Sequence, residues 1–216
     1  MSELVLVRHG QAMAFDRDSD RLSPLGEQQS RTLGEYWKRH GVAFDVLYTG
    51  TLRRHVQTYE LAAAAPLPAP RANPGLNEYD AAAILAAAQV DMTAFTGPDR
   101  NKHFQRVFED VMAKWRANEL AGCESWDAFR GRVNTALRDI MAESGSRRVA
   151  VFTSGGPIGV AVQAAMKAPE GTAIEVNWRV RNTSLTSFLF SGSRVSLDGF
   201  NATPHLAECR ELESYR

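Results

Sequence analysis

Residues 4–10 read LVLVRHG, an apolar run that ends in the triplet Arg-His-Gly at residues 8–10. A continuous apolar run with β-branched residues is typical of a strand buried on both faces, as in a parallel sheet. Another strand is predicted at residues 148–153, and it runs directly into Ser154 and two glycines. Both predicted strands therefore end where parallel sheets bind ligands, at their carboxyl ends.

Helical and strand patterns alternate along the chain around these two segments. Ser23 before Pro24 is typical of a helix start, and Gly41 is typical of the end of that helix. Further strands are predicted at residues 42–48, 185–190 and 194–200, and further helices at residues 52–65, 81–90, 104–119, after Ser125 and at 157–167. The four prolines of residues 66–74 predict irregular structure, and residues 93–102 are predicted as a loop.

This order predicts an α/β fold, since strands that alternate with helices form a mostly parallel sheet covered on both faces. We expect a three-layer α/β/α sandwich with a helical insertion over the site. The 216 residues predict a single domain, 1–216, in which the insertion occupies about residues 79–123.

The composition excludes several classes of protein. Lys and Arg number 25 and Asp and Glu number 25, so the chain lacks the basic character of nucleic-acid and membrane-surface proteins. Cys123 and Cys209 are isolated and predict neither a disulfide framework nor a zinc site. No stretch approaches the ~18 apolar residues of a membrane span. We interpret the chain as a soluble cytoplasmic protein, and its composition does not indicate an oligomeric state.

Three polar segments follow predicted strands and are expected at one edge of the sheet. They carry Arg8 and His9, Arg54, and the glycine-rich helix start at Gly155. Arginine forks match phosphate oxygens, and the free N–H groups of a helix start attract negative charge. The segments together therefore predict an anion site. Glu78, in a predicted loop, is a candidate general acid for such a site.

Six motifs in order extend this interpretation along almost the whole chain. Residues 6–10 are LVRHG, residues 20–26 (DRLSPLG) resemble D-x-x-L-T-x-x-G, residues 48–58 (YTGTLRRHVQT) resemble Y-S-S-P-L-x-R-A-x-Q-T, and residues 76–78 (LNE) match L-x-E. Glu124-Ser125 resembles the start G-E-S of a late helix, and residues 182–184 and 201–206 match N-x-S and N-x-x-x-H-L. The series resembles the histidine phosphatase superfamily, the phosphoglycerate-mutase-like proteins.

The resemblance implies a role for each candidate residue. His9 would attack phosphorus and carry the phosphoryl group as phosphohistidine. Arg8 and Arg54 would hold the phosphate oxygens, while Arg53 would point elsewhere. Glu78 would protonate the leaving oxygen and later activate water. No metal or cofactor is implied, and the partner would be a small phosphomonoester.

The chain departs from the family pattern at one position. The pattern has a second histidine in S-H-G-G, and Ser154 stands at that position in this sequence. We expect Ser154 and Gly155 to bind phosphate, although a serine hydroxyl carries no charge. Ser154 is also interpreted as a cap of the helix that follows it. The candidates for a replacement cation are His55, His103, Arg53 and Arg181.

An acidic segment around Asp16, Asp18 and Asp20 has part of the spacing of a calcium loop. Arg21 stands where that loop needs glycine, so the segment predicts a solvated loop near the site rather than a calcium site. The histidines outside the candidate site show no metal-ligand spacing, and these are His40, His103 and His205.

The leading functional prediction is a phosphomonoester hydrolase that acts through phosphohistidine on an unidentified small metabolite. Ser154 motivates one alternative, an inactive protein that binds phosphate without turnover. A phosphoglycerate-mutase-type phosphotransferase is the other alternative, because it uses the same chemistry. The sequence does not identify the substrate.

Overall fold

The structure is a computed structural model, and it describes residues 2–13, 20–63, 67–144 and 147–215. The strands are β1 (Ser2–Arg8), β2 (Val46–Thr49), β3 (Arg71–Ala72), β4 (Arg148–Thr153), β5 (Leu185–Ser191) and β6 (Arg194–Ala202). The helices are α1 (Pro24–Arg39), α2 (Arg53–Ala62), α3 (Ala81–Ala87), α4 (Arg100–Arg116), α5 (Trp126–Ser144), α6 (Gly155–Met166) and α7 (Gly171–Asn177).

The chain divides into two compact units. The first unit contains Met1–Glu78 and Val133–Arg216, and the second contains Tyr79–Arg132. The second unit has its own aromatic core, in which the Tyr79 ring lies 4.9 Å from Trp115 and 5.5 Å from Phe129. The prediction that residues 79–123 form an insertion over the site stays a prediction.

A six-stranded sheet with the order β3-β2-β4-β1-β5-β6 organises the first unit. The pairings β1–β4, β2–β4 and β2–β3 are parallel, and β1–β5 and β5–β6 are antiparallel. β1 lies in the interior of the sheet, which explains why its apolar run is continuous. The predicted α/β fold with a mostly parallel sheet flanked by helices is confirmed.

Alternate residues of the central strands face opposite sides of the sheet. Val5 and Val7 pack with Leu33 and Trp37 of α1 and with Ala62 of α2 in one buried cluster. On the other side, Leu4 lines a cavity with residues of α5, α6 and β5, namely Leu137, Ala161 and Phe188. Helices therefore cover both faces of the sheet, as the buried run of β1 predicts.

Local signals located several elements correctly. Ser23 caps α1, with its side chain accepting a hydrogen bond from Gly26 N, and Pro24 occupies the first turn. Gly41, with φ of +61°, follows the end of that helix. Ser125 Oγ accepts from Ala128 N at 3.2 Å at the start of α5, and β4 has the predicted bounds.

Other expectations about the elements were wrong. Within residues 66–74, Arg71–Ala72 forms an edge strand paired with β2, because an edge strand needs a partner on one side only. α4 begins at Arg100, inside the predicted loop 93–102, and β2 begins at Val46 rather than at residue 42. α6 begins at Gly155 rather than at residue 157, and α7 was not predicted.

Within the described part of the chain, no helix is both long enough and apolar enough to cross a bilayer.

Candidate active site

The carboxyl ends of β1, β2 and β4 lie side by side. Arg8 pairs with Thr153, and His9 N donates to Thr153 O at 2.9 Å. At the end of β2, Gly50 N donates to Phe152 O at 3.0 Å. The parallel register therefore brings the segments after the three strands to one edge of the sheet, as predicted.

His9 is buried and held in one ring orientation by two hydrogen bonds. Its Nδ1 lies 2.6 Å from the carbonyl oxygen of Gly10, and its Nε2 lies 3.2 Å from Nε of Arg54. A carbonyl only accepts and a guanidinium only donates, so Nδ1 carries the ring proton and Nε2 presents a lone pair. This tautomer leaves the imidazole neutral, with Nε2 as the nucleophilic atom.

The surroundings of His9 keep that ring neutral. Burial, followed by the charges of Arg54 and Arg8 and by repulsion between the His9 and His55 rings when both are protonated, lowers the pKa of His9 well below its usual value of 6.5. The bond to Gly10 O acts in the opposite direction and is the smallest of these effects. At neutral pH Nε2 therefore carries a lone pair, which can attack an electrophile once the hydrogen bond from Arg54 is released.

The main chain around His9 is fixed by side chains from other elements. Asn182 Nδ2 donates to His9 O at 3.1 Å, and the Asn182 side chain is fully buried. Thr58 Oγ1 accepts from Gly10 N at 3.0 Å and donates to Arg54 O at 2.7 Å. Thr58 thus joins the loop that carries His9 to the helix that carries Arg54.

Arg54, in the first turn of α2, is oriented by an acidic partner. Its Nη1 lies 2.7 Å from Oδ1 of Asp20, and Asp20 Oδ2 also accepts from Arg53 N at 2.9 Å. Sequence reasoning placed Asp20 in a solvated loop near the site but did not connect it with Arg54. Asp16 and Asp18, predicted in the same loop, lie outside the described residues.

Arg8 is anchored by two main-chain carbonyls that are distant from it in the sequence. Its Nη1 donates to the main-chain carbonyls of Val180 and Tyr215. Its charge acts on His9, since it is one of the causes of the lowered pKa of that histidine. The structure therefore places Arg54 against the His9 imidazole, while Arg8, the residue before His9, is held by two main-chain carbonyls.

Glu78 lies at the amino end of α6. Its Oε2 accepts a hydrogen bond from Gly156 N at 3.0 Å, and the side chain is half-buried. Gly155, the first residue of α6, is buried and precedes Gly156. The carboxyl group thus occupies the positive end of a helix at the same sheet edge as His9.

Ser154 does not cap α6 through its side chain, so that interpretation was wrong. Its Oγ lies 2.6 Å from Nε2 of His55, and both residues are fully buried. The hydroxyl reaches across to α2 instead of back to the N–H groups of its own helix. Sequence reasoning named His55 but did not connect it with Ser154.

The other three candidates for a replacement cation have different surroundings. Arg53 is exposed. Arg181 Nε lies 3.4 Å from Oε2 of Glu213, and Arg181 Nη1 donates to Asn201 O at 3.3 Å. His103 belongs to the second unit, where its ring packs edge-on against Phe95. Among the candidates in the first unit, His55 is the one whose side chain packs beside the His9 ring, with ring centroids 5.6 Å apart.

The described residues contain no cluster of three or more metal-ligating side chains. His205 instead makes a hydrogen bond of 2.8 Å between its Nε2 and Thr183 Oγ1. Burial lowers the pKa of His205 to about 4.

Comparison with known proteins now identifies the family. Residues 4–203 match the histidine phosphatase superfamily, branch 1. The chain belongs to this superfamily. The match includes β1 from residue 4 onward, His9, Arg54, Glu78 and the Ser154 segment, so the described edge of the sheet lies within the matched region.

Individual relatives in the superfamily are similar over part or all of the chain. A phosphoglycerate mutase of Candida albicans is 31% identical over 118 residues, which cover 50% of this chain and 48% of the mutase. The chain thus matches about half the length of that relative. Bacillus stearothermophilus YhfR shares the fold with a TM-score of 0.70 at 19% identity, covering 95% of this chain and 100% of YhfR. A phosphoserine phosphatase mutant of Entamoeba histolytica in complex with phosphoserine has a TM-score of 0.66 at 19% identity, with the same coverage of the two chains, 95% and 100%.

Proposed function

We propose that this protein is a phosphomonoester hydrolase that acts through a phosphohistidine at His9 on a small phosphorylated metabolite. The contact that carries the proposal is the 3.2 Å hydrogen bond from Arg54 Nε to His9 Nε2. It joins a neutral nucleophilic nitrogen to a cation suited to phosphate, and a phosphate group entering here would meet both. The family membership and the fold shared with the phosphoserine phosphatase support the same chemistry.

In the first step, the Nε2 lone pair of His9 forms a bond to phosphorus as the bond from phosphorus to the ester oxygen breaks. The leaving oxygen takes the electron pair of that bond and a proton from the Glu78 carboxyl group. The guanidinium groups of Arg8 and Arg54 stabilise the charge on the three remaining phosphoryl oxygens. The products are the alcohol and phosphohistidine.

In the second step, Glu78 as a carboxylate takes a proton from water. The water oxygen forms a bond to phosphorus, and the P–N bond breaks and returns its electron pair to Nε2. Inorganic phosphate leaves, and both His9 and Glu78 recover their starting protonation states. The bond from Gly156 N to Glu78 supports this role because it holds the carboxyl group at the site edge.

A phosphotransferase is the second candidate, favoured by the similarity to a phosphoglycerate mutase. It shares the first step, but a second alcohol rather than water accepts the phosphoryl group. Incubation with 3-phosphoglycerate separates the two activities. Release of inorganic phosphate supports the hydrolase, whereas formation of 2-phosphoglycerate without phosphate release supports the mutase.

The direct test is to trap the intermediate. A panel of phosphomonoesters that includes phosphoserine, 3-phosphoglycerate and p-nitrophenyl phosphate is turned over, quenched rapidly and measured by intact mass. We expect an acid-labile adduct of ~80 Da on His9, as for a covalent phosphoryl intermediate. His9→Ala should abolish both the adduct and turnover, while His40→Ala, a change at an exposed histidine, should preserve both.

Two outcomes contradict the proposal. Turnover by His9→Ala without any adduct would exclude His9 as the nucleophile. Binding of phosphate or vanadate, seen as a raised Tm, without turnover of any ester would favour the inactive phosphate-binding protein instead.

A further inference from the structure

The hydrogen bond between His55 and Ser154 has no part in the two steps above. Nε2 of His55 lies 2.6 Å from Oγ of Ser154, and neither residue has exposed surface. The partners are separated by 99 positions in the chain, so tertiary structure alone brings them together. A buried, short, side-chain-to-side-chain bond beside a candidate active site calls for a physical explanation.

Both members of the pair are adjacent to site residues. His55 follows Arg54 directly, and its ring centroid lies 5.6 Å from that of His9. Ser154 follows β4, next to the β1 end that carries His9, where His9 N donates to Thr153 O. The His55 ring, and the Ser154 hydroxyl bonded to it, therefore lie close to the His9 ring.

The ring nitrogens of His55 favour one direction for the hydrogen bond. His55 Nδ1 is buried and has no hydrogen-bond partner among the residues that the structure describes. If the ring proton is on Nε2, Nδ1 is left with only an unpaired lone pair. If the proton is on Nδ1 instead, the fold buries an N–H group that has no acceptor, and buried N–H groups without an acceptor are rare in proteins. Nε2 then donates to Oγ, and the hydroxyl hydrogen of Ser154 is directed away from His55.

The positive charge near the His55–Ser154 pair belongs to the arginines and not to His55. Burial, and to a lesser extent the charge of Arg54, lowers the pKa of His55 well below 6.5. His55 is therefore neutral at neutral pH, and the expectation of a replacement cation does not apply to it. A neutral imidazole can still orient a hydroxyl group, because that requires only its N–H.

We infer that His55 is a positioning residue that orients the Ser154 hydroxyl to donate a hydrogen bond to the transferring phosphoryl group. The inference rests on the proposed function. The pair would take the place of the second histidine in the family pattern quoted above. In that pattern Ala stands at the position of His55, and His stands at the position of Ser154. Compared with the pattern, this chain has therefore exchanged the positions of the imidazole and the small side chain.

The exchange leads to a reciprocal experiment on the full chain. Kinetics with the best substrate of the panel are measured for His55→Ala, Ser154→Ala, Ser154→His and the double variant His55→Ala/Ser154→His. We expect each alanine variant to lower kcat by about 10- to 100-fold with little change in KM, as when one donor to a transition-state oxygen is lost. Ser154→His alone should also lower kcat, since a second ring has no space 2.6 Å from His55.

The double variant is the decisive member of the set. Removal of the His55 ring makes space for the new imidazole at position 154, so kcat should rise at least tenfold above that of either single variant. His55→Gln, whose amide N–H reaches about as far as Nε2, should retain more activity than His55→Ala. These two results would not follow if His55 served only to stabilise the fold.

His205→Ala provides a matched control, because it removes another buried bond between a histidine and a hydroxyl, 2.8 Å long to Thr183. It should lower Tm while leaving kcat within about threefold of the wild-type value, which is a minor loss of transition-state stabilisation. If His55→Ala behaves like His205→Ala, with lowered Tm and unchanged kcat, the inference is wrong.

A binding measurement separates failure of this inference from failure of the proposed function. Vanadate resembles the transferring phosphoryl group, whereas sulfate resembles only the bound ground state. His55→Ala should weaken vanadate binding at least tenfold and sulfate binding less than twofold. If the wild-type chain hydrolyses no ester but His55→Ala still weakens vanadate binding more than sulfate binding, the proposed function is wrong and the inference about His55 and Ser154 is supported. If both affinities are unchanged, the pair has no such role.

Discussion

Asp20 Oδ1 lies 2.7 Å from Nη1 of Arg54, while a different nitrogen of the same guanidinium, Nε, donates to His9. The carboxylate thereby restrains a flexible side chain whose planar fork must meet phosphate oxygens. Because Asp20 is 40% exposed and Arg54 17% exposed, we expect this ion pair to contribute mainly orientation rather than stability.

Asp20→Asn should therefore affect activity more than stability. We expect kcat/KM to fall by about 10- to 100-fold, because the amide keeps the shape of the side chain but loses the charge-assisted bond. Arg54→Lys should cost more, about 10²- to 10³-fold, since an ammonium cannot bond His9, Asp20 and phosphate in one plane. Glu27→Gln is the matched control, as it breaks an exposed ion pair with Arg31. Equal kcat/KM for Asp20→Asn and Glu27→Gln would contradict the orienting role.

Glu78→Gln tests the general acid with two leaving groups. Nitrophenolate leaves without a proton, so the rapid burst of nitrophenol from p-nitrophenyl phosphate should persist in this variant. An alkyl phosphate needs the proton, so its burst should slow by about 10²- to 10⁴-fold. Stopped-flow absorbance and rapid-quench mass measure the two bursts, and Glu60→Gln at an exposed site of α2 provides the control. Equal slowing for both substrates would mean that Glu78 does not protonate the leaving group.

Three buried histidines should make the stability of the fold depend on pH. Burial lowers the pKa of His9, His55 and His205, the last to about 4. Below about pH 6.5 the unfolded chain binds protons that the folded chain does not. The free energy of unfolding should therefore fall as the pH falls, by up to about 1.4 kcal/mol per pH unit for each histidine between its folded and unfolded pKa values.

Urea unfolding between pH 7.5 and pH 5 measures this dependence. In the wild type, unfolding lets His205 bind a proton at pH values between about 6.5 and its folded pKa of about 4. His205→Gln removes this group, so the free energy of unfolding should depend less steeply on pH, by the contribution of one proton. His40→Gln, at an exposed site, should leave the slope unchanged. A slope that is the same for His205→Gln and for the wild type would show that His205 titrates normally in the folded protein.

Two glycine substitutions should change stability in opposite directions. Gly34 of α1 is buried, and a Cβ there would collide with the carbonyl oxygen of Ala62 in α2. Gly34→Ala should therefore lower the free energy of unfolding by about 1–3 kcal/mol. Gly131 of α5 is exposed with open space around it, so Gly131→Ala should raise that free energy by up to about 1 kcal/mol through helix propensity. Urea unfolding of both variants measures the sign of each change in the free energy of unfolding. If Gly34→Ala leaves that free energy unchanged, α1 and α2 can move apart without loss of stability.

Features that depend on neighbouring residues could be predicted from the sequence. The apolar run of β1 and the Ser23 cap are local patterns, and each is found where it was predicted. Their physical basis lies within a few residues, in side-chain burial, capping bonds and backbone conformation. The common edge of the strands also followed from the sequence, since parallel strands with helical crossovers align their carboxyl ends.

The contacts between distant side chains depend on the tertiary fold. Asp20 and Arg54 are separated by 34 positions, and His55 and Ser154 by 99. β3 and α7 were missed because two paired residues at a sheet edge and one short helix have weak local signals and depend on their neighbours. A hydroxyl can cap its own helix or bond a distant ring, and these alternatives differ little in local free energy. For Ser154 the choice was made by the packing of α2 against the end of β4, which no pattern near residue 154 records.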